Sequence, residues 1–466
     1  MTTHDTAREL TTIDREHLAG LADQFGGDLL GPDDDGYEEH RRVWNGMIDK
    51  HPALIARCHS TSDVVSVVNF ARKRDLLLAV RGGGHSFAGF STCDGGVVLD
   101  LSPMQAVDVD PERRVARAQG GATWSVFDAA THAHGLACTG GLISTTGVAG
   151  LTLGGGIGWL QRRCGLACDN LLSIELVTAA GEVVRASEAE NAELFWGVRG
   201  GGGNFGVVTS FEFRLHPVGH VTGGLMLFES GRASEVMRFY RDFARGCPDE
   251  LTTWLSVITA PAADFVPEAL QGKPALAVLA CHCGEPADAE IAIRPLRELG
   301  PAVDLVERMP YPQLQSMLDE DLPPGVRCYL KAGFTPELTD PLIDAIVAHT
   351  ATMPSASSTL DVHHMGGAVA RVADGATAFG DRRSAFCFNI VGVWQEAFDD
   401  DTNRTWVRDL ASALEPFGTG GVYVNFTAEP GQARAAYGDQ TTARLRALKT
   451  RYDPTNLFRL NQNIPG

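Results

Sequence analysis

The chain has 466 residues, 44% apolar and 21% charged, an ordinary composition for a soluble globular protein with room for two domains. A formal net charge of −19 argues against nucleic acid and against an anionic membrane surface as partners. No apolar run is long enough to span a bilayer and the first residues are polar, so a cytoplasmic location is expected. Ten cysteines in a chain of this length do not make a disulfide scaffold. Cys281-His282-Cys283 has no second pair at ligand spacing and ends an apolar run, so no metal site is expected.

Residues 5–30 carry an amphipathic helical stripe through Leu18, Leu21 and Phe25. Residues 53–57 form a short strand. Ser60 or Thr61 then caps a helix that runs to Arg74, with Val64, Val67, Val68 and Ala71 on one face. The apolar residues 76–80 read as a buried strand leading into Arg81-Gly82-Gly83-Gly84-His85-Ser86-Phe87. Glycine lets the main chain approach a ligand closely and adopt positive φ. Successive exposed N–H groups then form a concave site for phosphates. His85 therefore sits just past a strand end, on a loop that can wrap a diphosphate. No G-x-x-x-x-G-K-[ST] pattern is present in this loop or in the next glycine segment, which argues against a P-loop nucleotidase.

Strands at 97–101, 107–109 and 114–118 and a helix at 123–134 follow. The segment from Gly140 to Trp159 is glycine-rich, apolar and free of charge. It suits a chain threading past a flat ring, and a tightly packed crossover is the other reading. A hairpin turns at Ala180-Gly181, a helix spans 190–198, and Gly200 to Gly203 form another close-approach loop. The strand 207–215 ends at His216-Pro217, which marks a boundary near 218. Beyond it come strands at 221–228, 252–258, 274–283, 327–334, 358–365 and 385–394, with helices at 233–243, 286–299, 336–353 and 401–414. This alternation without glycine loops predicts an antiparallel sheet covered by helices on one face. The expected division is 1–218, 219–415 and a returning tail, 416–466.

Taken together, these stretches resemble the FAD-linked oxidases with a vanillyl-alcohol-oxidase or PCMH-type flavin domain, and within them the berberine-bridge-enzyme-like branch. The matching residues are Arg81 to Ser86; Gly147, Gly150, Gly154 to Gly156 and Gly158; Gly165-Leu166-Ala167 with Asp169-Asn170; Phe195-Trp196 with Arg199 to Gly206; and the tail residues Arg451 to Pro454, Asn456, Phe458 and Asn463-Ile464-Pro465. They run in order over nearly the whole chain. The resemblance implies an α+β fold, with a two-part FAD-binding domain and an antiparallel-sheet substrate cap covered by helices. It implies FAD held by Arg81, Gly82, Gly83, Gly84, His85, Ser86, Ile143, Ser144, Thr145, Gly147, Gly150, Gly154, Gly155, Gly156, Gly158, Asn204, Gly206, Val207, Val208, Asn461 and Asn463. His85 takes the family position bonded to the 8α-methyl of FAD. The cysteine that gives many relatives a second bond falls on Ile143, so a single covalent link is implied. Thr146 stands where oxidases with open oxygen access have valine, a nearly isosteric residue, so O2 is expected as a reactant.

The base that accepts the substrate proton is less direct. The tyrosine that ends a Tyr-x-Asn-Tyr segment in the family is Phe426 here, in Tyr423-Val424-Asn425-Phe426. The cap position that carries glutamate or glutamine in relatives is Asn389, and an amide is no base at neutral pH. Tyr423, His363, His364 and Tyr329 remain as titratable candidates. Strand alternation puts Arg327, Tyr329 and Lys331 on one face. That face is either solvated or roofs the flavin, and in the second case Lys331 or Arg327 would stabilise a Tyr329 or Tyr423 phenolate. A cap or tail tyrosine is therefore the expected base. Three functions stand at this point: an oxidase that takes a hydride from a hydroxyl- or amine-bearing carbon of a small metabolite or sugar and reduces O2, a dehydrogenase of the same fold with another acceptor, and a flavin-retaining protein that sequesters a metabolite. The cap strands do not select a substrate.

Overall fold

The computed structural model describes residues 15–466. Residues 5–14 of the anticipated first helix lie outside the described residues. Within them the helix is Arg15–Ala22, and Asp28–Leu30 is a strand instead. Two glycines explain the break. A Cβ at Gly27 would stand 1.9 Å from the Arg57 carbonyl oxygen, so the chain must run main chain against main chain there.

Asp28–Leu30, Leu54–Arg57, Val97–Asp100 and Leu78–Arg81 form a four-stranded sheet in that order. Its last two pairings are parallel, which requires a crossover, and the helix Thr61–Lys73 supplies it. Ser60 caps that helix by accepting from the Asp63 N–H, and its stripe of Val64, Val67, Val68 and Ala71 is fully buried. A second, antiparallel sheet runs Val107–Asp110, Val115–Gln119, Val207–Arg214, Leu171–Val177, Val183–Ser187. The two glycine segments meet beside these sheets. A Cβ on Gly83 would lie 2.4 Å from the Gly147 nitrogen, so only glycine allows the contact. The second segment is not wholly irregular, because Val148–Leu153 is a short helix.

The third sheet has eight antiparallel strands. Its main order is Val303–Asp304, His220–Glu229, Pro274–His282, Leu251–Thr259, Thr359–His364, Phe386–Trp394, Arg327–Thr335, with Glu307–Pro310 also on His220–Glu229. One face packs on the helices Ala233–Arg245, Pro286–Glu298, Asp340–Thr350 and Asp400–Leu414 through residues such as Leu255, Val278, Leu360, Val362 and Ile390. The opposite face carries Trp254, Ser256, Leu279, Asp361, His363 and Asn389 and looks into a cavity. The tail holds a helix, Ala433–Tyr452, that the sequence pattern does not announce, since it has no continuous apolar stripe and bends at Gly438 (φ 68°). It delivers Lys449 into the core. The Lys449 ammonium is fully buried and donates to the Asn204 and Phe458 carbonyls and to Asp453, which ties the tail to the Gly200–Gly203 loop.

Candidate active site

A cavity of about 1320 Å³ lies between the glycine segments and the bare face of the eight-stranded sheet. That exceeds what one small ligand fills and leaves room for a cofactor together with a substrate. Its glycine wall brings together Gly82, Gly83, Gly84, His85, Ser86, Ile143, Thr146, Gly147, Gly150, Gly154, Asn204, Gly206, Val207, Val208 and Asn461. A Cβ at Gly150 or Gly203 would meet no atom within 4 Å, so open space faces the bare main chain at both. The buried Asn461 Oδ1 has no protein partner. Bare main chain for phosphates, apolar side chains for a ring and an unanswered polar atom all fit FAD.

Not every residue expected at the cofactor lines this wall. The Arg81 guanidinium turns away to the His40 carbonyl. Ser144 turns to Asp319, donating from its N–H (2.9 Å) and its hydroxyl (2.5 Å). Thr145 touches His85 rather than the cavity (Oγ1 to Nε2, 3.2 Å). Asn463 is not among the lining residues. Gly155, Gly156 and Gly158 are glycines for packing: added Cβ atoms would strike Phe379 at 2.6 Å, Ala167 at 2.3 Å and the Gly140 carbonyl at 1.8 Å.

His85 lies with its ring stacked on Trp44, centroids 5.5 Å apart and planes 21° from parallel. Burial lowers its pKa to about 4, with Asp319 pulling weakly the other way, so the imidazole is neutral at pH 7. Cys138, the nearest cysteine to the glycine segment, is fully buried outside the cavity wall.

On the sheet wall, Ser256, Asp361 and Asn389 are direct cross-strand neighbours and form one polar row in an apolar floor. The Ser256 hydroxyl donates to Asp361 at 2.6 Å and the Thr359 hydroxyl at 3.2 Å. Burial nevertheless raises the Asp361 pKa to about 6, outweighing those two donors. One row away, His363 packs edge-on against Trp254, and burial lowers its pKa to about 3. His363 Nε2 and Asn389 Oδ1 are buried with no protein partner, and both residues line the cavity. Among the described residues no lysine or arginine lines it; its ionisable side chains are His85, His363, Tyr423, Tyr437, Glu320, Asp321, Asp361 and the Cys328 thiol.

Several expected base candidates stand elsewhere. Arg327, Tyr329 and Lys331 share a face, as alternation requires, but it is the face under the helices. Arg327 pairs with Asp400 (2.6 Å), Lys331 with Glu429 (3.0 Å), and the Tyr329 hydroxyl donates to Glu429. Burial, and then Glu429, raise the Tyr329 pKa rather than lowering it. The neighbours of this face in the cavity are Cys328 and Leu330. His364 points away as well: Arg162 donates to its Nε2 (2.9 Å), and burial with that charge holds its pKa far down. Tyr423 does reach the cavity edge, but its oxygen already takes N–H donors from Gly156, Ile157 and Asn425, and burial raises its pKa above the usual range. It acts as a post that holds the tail against the glycine segment. The residue that sequence reasoning missed is Asp361. An aspartate between Leu360 and Val362 is a poor strand former, and that mismatch was the available signal.

Comparison with known proteins agrees with this geometry. Residues 52–187 match the FAD binding domain family and residues 422–465 the berberine and berberine-like family. An FAD-linked oxidoreductase of Dictyostelium discoideum is 33% identical over 438 residues, covering 92% of this chain and 93% of that protein. The chain belongs to the berberine-bridge-enzyme-like FAD-linked oxidoreductases. Within this family, (R)-6-hydroxynicotine oxidase of Paenarthrobacter nicotinovorans is 31% identical over 94% of this chain and 96% of its own. The crystal structure of 6-hydroxy-D-nicotine oxidase from Arthrobacter nicotinovorans superposes with a TM-score of 0.85 at 30% identity, covering 94% of this chain and 98% of that one. Chitooligosaccharide oxidase, at 24% identity and a TM-score of 0.82 over 96% of this chain and 99% of its own, shares the fold. The protein is an FAD-linked oxidoreductase, and no helix among its described residues is long and apolar enough to cross a membrane.

Proposed function

We propose that this enzyme is an oxidase that removes a hydride from a hydroxyl- or amine-bearing carbon of a small, largely apolar molecule, with O2 as the final acceptor and hydrogen peroxide as product. The observation that carries the reading is Asp361, a carboxylate whose pKa burial raises to about 6, set in the cavity floor across from the glycine wall. Bound FAD supplies the hydride acceptor. Asp361 is ionised at neutral pH and takes the proton of the substrate hydroxyl or ammonium group. Ser256 and Thr359 fix its two oxygens by donating to them. His363, neutral at any working pH, and Asn389 offer the remaining hydrogen-bonding groups to the substrate. Trp254, Ile258, Leu279 and Met317 supply apolar contact and exclude water. With no lysine or arginine on the cavity wall among the described residues, a substrate carboxylate or phosphate would find no cationic partner, so the substrate is neutral or positively charged. Thr146 lines the cavity and leaves room for O2, and His85 carries the one covalent bond to FAD.

Anaerobic mixing with a panel of cyclic amines, benzylic alcohols and oligosaccharides, 6-hydroxynicotine and chitooligosaccharides among them, tests this reading. A member of the amine or alcohol sets should bleach the flavin, and the same compound in air should release peroxide at the rate of turnover. Bleaching without peroxide would make the enzyme a dehydrogenase. Tight binding with no bleaching by any compound would end the oxidase reading.

A further inference from the structure

One segment of the cap, residues 319–328, is hydrogen-bonded at several points to the residues that flank the His85 imidazole. Asp319 grips Ser144 by two hydrogen bonds, and the next residue, Thr145, meets His85 Nε2 at 3.2 Å. Leu322 accepts from the Trp44 indole N–H at 3.1 Å, and Trp44 is the ring on which His85 stacks. Asn45, only 2% exposed, donates to the carbonyls of Phe87 and Cys328 at 2.9 Å each and accepts from the Cys328 N–H at 3.1 Å. That joins the His85 loop to a cap strand. Gly325 donates to the Trp44 carbonyl and Gly46 to the Val326 carbonyl, both at 2.8 Å, so the lacing is continuous. Asp319, Ser144, Thr145 and Asn45 are not among the residues that line the cavity.

We infer that Asp319 is a positioning residue for the attachment of FAD, acting through Ser144 and Thr145 on the His85 imidazole, so that the bond forms efficiently only once the cap has docked. This rests on the proposed covalent link at His85. The bond joins a ring nitrogen of His85 to the ring-methyl carbon of FAD. One methyl hydrogen and the imidazole N–H hydrogen leave as protons. The electron pair passes to the flavin and then to O2, and with the two protons leaves as hydrogen peroxide. Burial keeps the imidazole neutral, so its lone pair is available. What remains is aim, and a misplacement of about 1 Å in such a step costs up to about 10²-fold in rate. Asp319 limits the swing of the Ser144-Thr145 side, and Trp44, held by Leu322, limits it on the ring face.

The test uses full-length protein from a riboflavin-starved host, mixed with saturating FAD in air. The flavin that stays with acid-precipitated protein is followed in time. Wild type should attach its flavin completely. Asp319→Ala and Ser144→Ala should do so at least about tenfold more slowly. Asp319→Asn keeps an acceptor for the Ser144 N–H and a donor for its hydroxyl, so it should restore a rate close to wild type. Reversible FAD affinity, read in a His85→Ala background, should be the same with and without Asp319→Ala. Attachment by Asp319→Ala at the wild-type rate would overturn the inference. So would an Asp319→Asn protein as slow as Asp319→Ala, since charge and not hydrogen bonding would then be at work. If Asp319→Ala does not fold, Ser144→Ala carries the same decision. Wild-type protein that gives up all its flavin in acid would instead remove the covalent link itself, and the inference with it.

Discussion

On the flavin side of the cavity the working surface is main chain, whereas on the cap side it is a handful of side chains from strands far apart in sequence. The flavin side needs glycine where Gly83 and Gly147 meet backbone to backbone, while Gly150 and Gly203 leave their main chain open to the cavity. The cap side needs register. Ser256, Asp361 and Asn389 become a row only because the three strands pair as they do. A surface made of main chain leaves a contiguous signature in sequence, and one made across a sheet does not. It also follows that the two sides respond differently to substitution: the first loses its shape, the second its chemistry.

The largest effect is expected on the cap side. Asp361→Asn keeps the volume and the Ser256 contact but removes the proton acceptor, so anaerobic flavin reduction should slow by about 10²–10⁴-fold. Bound flavin should be unchanged, which is checked by its absorbance against protein. Next is a change of shape on the flavin side. A Cβ at Gly158 would sit 1.8 Å from the Gly140 carbonyl oxygen, and relief requires the main chain to move. Gly158→Ala should cost about 3 kcal/mol by denaturant unfolding and weaken FAD retention, although Gly158 itself does not face the cavity. The smallest effect belongs to the helix-covered face of the same cap sheet. Tyr329→Phe should leave flavin reduction unchanged and cost about 1 kcal/mol of stability through the lost contact with Glu429. A large loss of reduction in Tyr329→Phe would show that the two faces of the sheet are not separated as described.

This contrast also explains what was legible in the sequence. The strands and helices of the cap follow from alternation and helical period. The glycine segments pointed to a phosphate-bearing ligand because close approach demands glycine in runs, and the resemblance they carry implied FAD. Legibility ended where glycine serves packing: Gly155, Gly156 and Gly158 look like their neighbours but touch Phe379, Ala167 and Gly140. It ended again at the Arg327, Tyr329 and Lys331 strand. Alternation says that three residues share a face, but not which layer covers that face. Here Asp400 and Glu429, from remote segments, neutralise it. Asp361 went unread because a single carboxylate in a strand has no motif around it. Asp319 was unreadable for a similar reason, since its partner Ser144 lies 175 residues away. The helix Ala433–Tyr452 lacks an apolar stripe because parts of several faces are buried around its bend.

The pH dependence of flavin reduction tests the central claim, that Asp361 is the proton acceptor, most directly. Burial raises its pKa to about 6, and the carboxylate is the active form. Reduction measured anaerobically by stopped flow should therefore fall as pH drops through about 6 and level off above it. His363, with a pKa near 3, adds no step in that range. In Asp361→Asn the step should vanish and the rate should stay low at every pH. A step near pH 6 that survives in Asp361→Asn, at a rate close to wild type, would contradict the assignment.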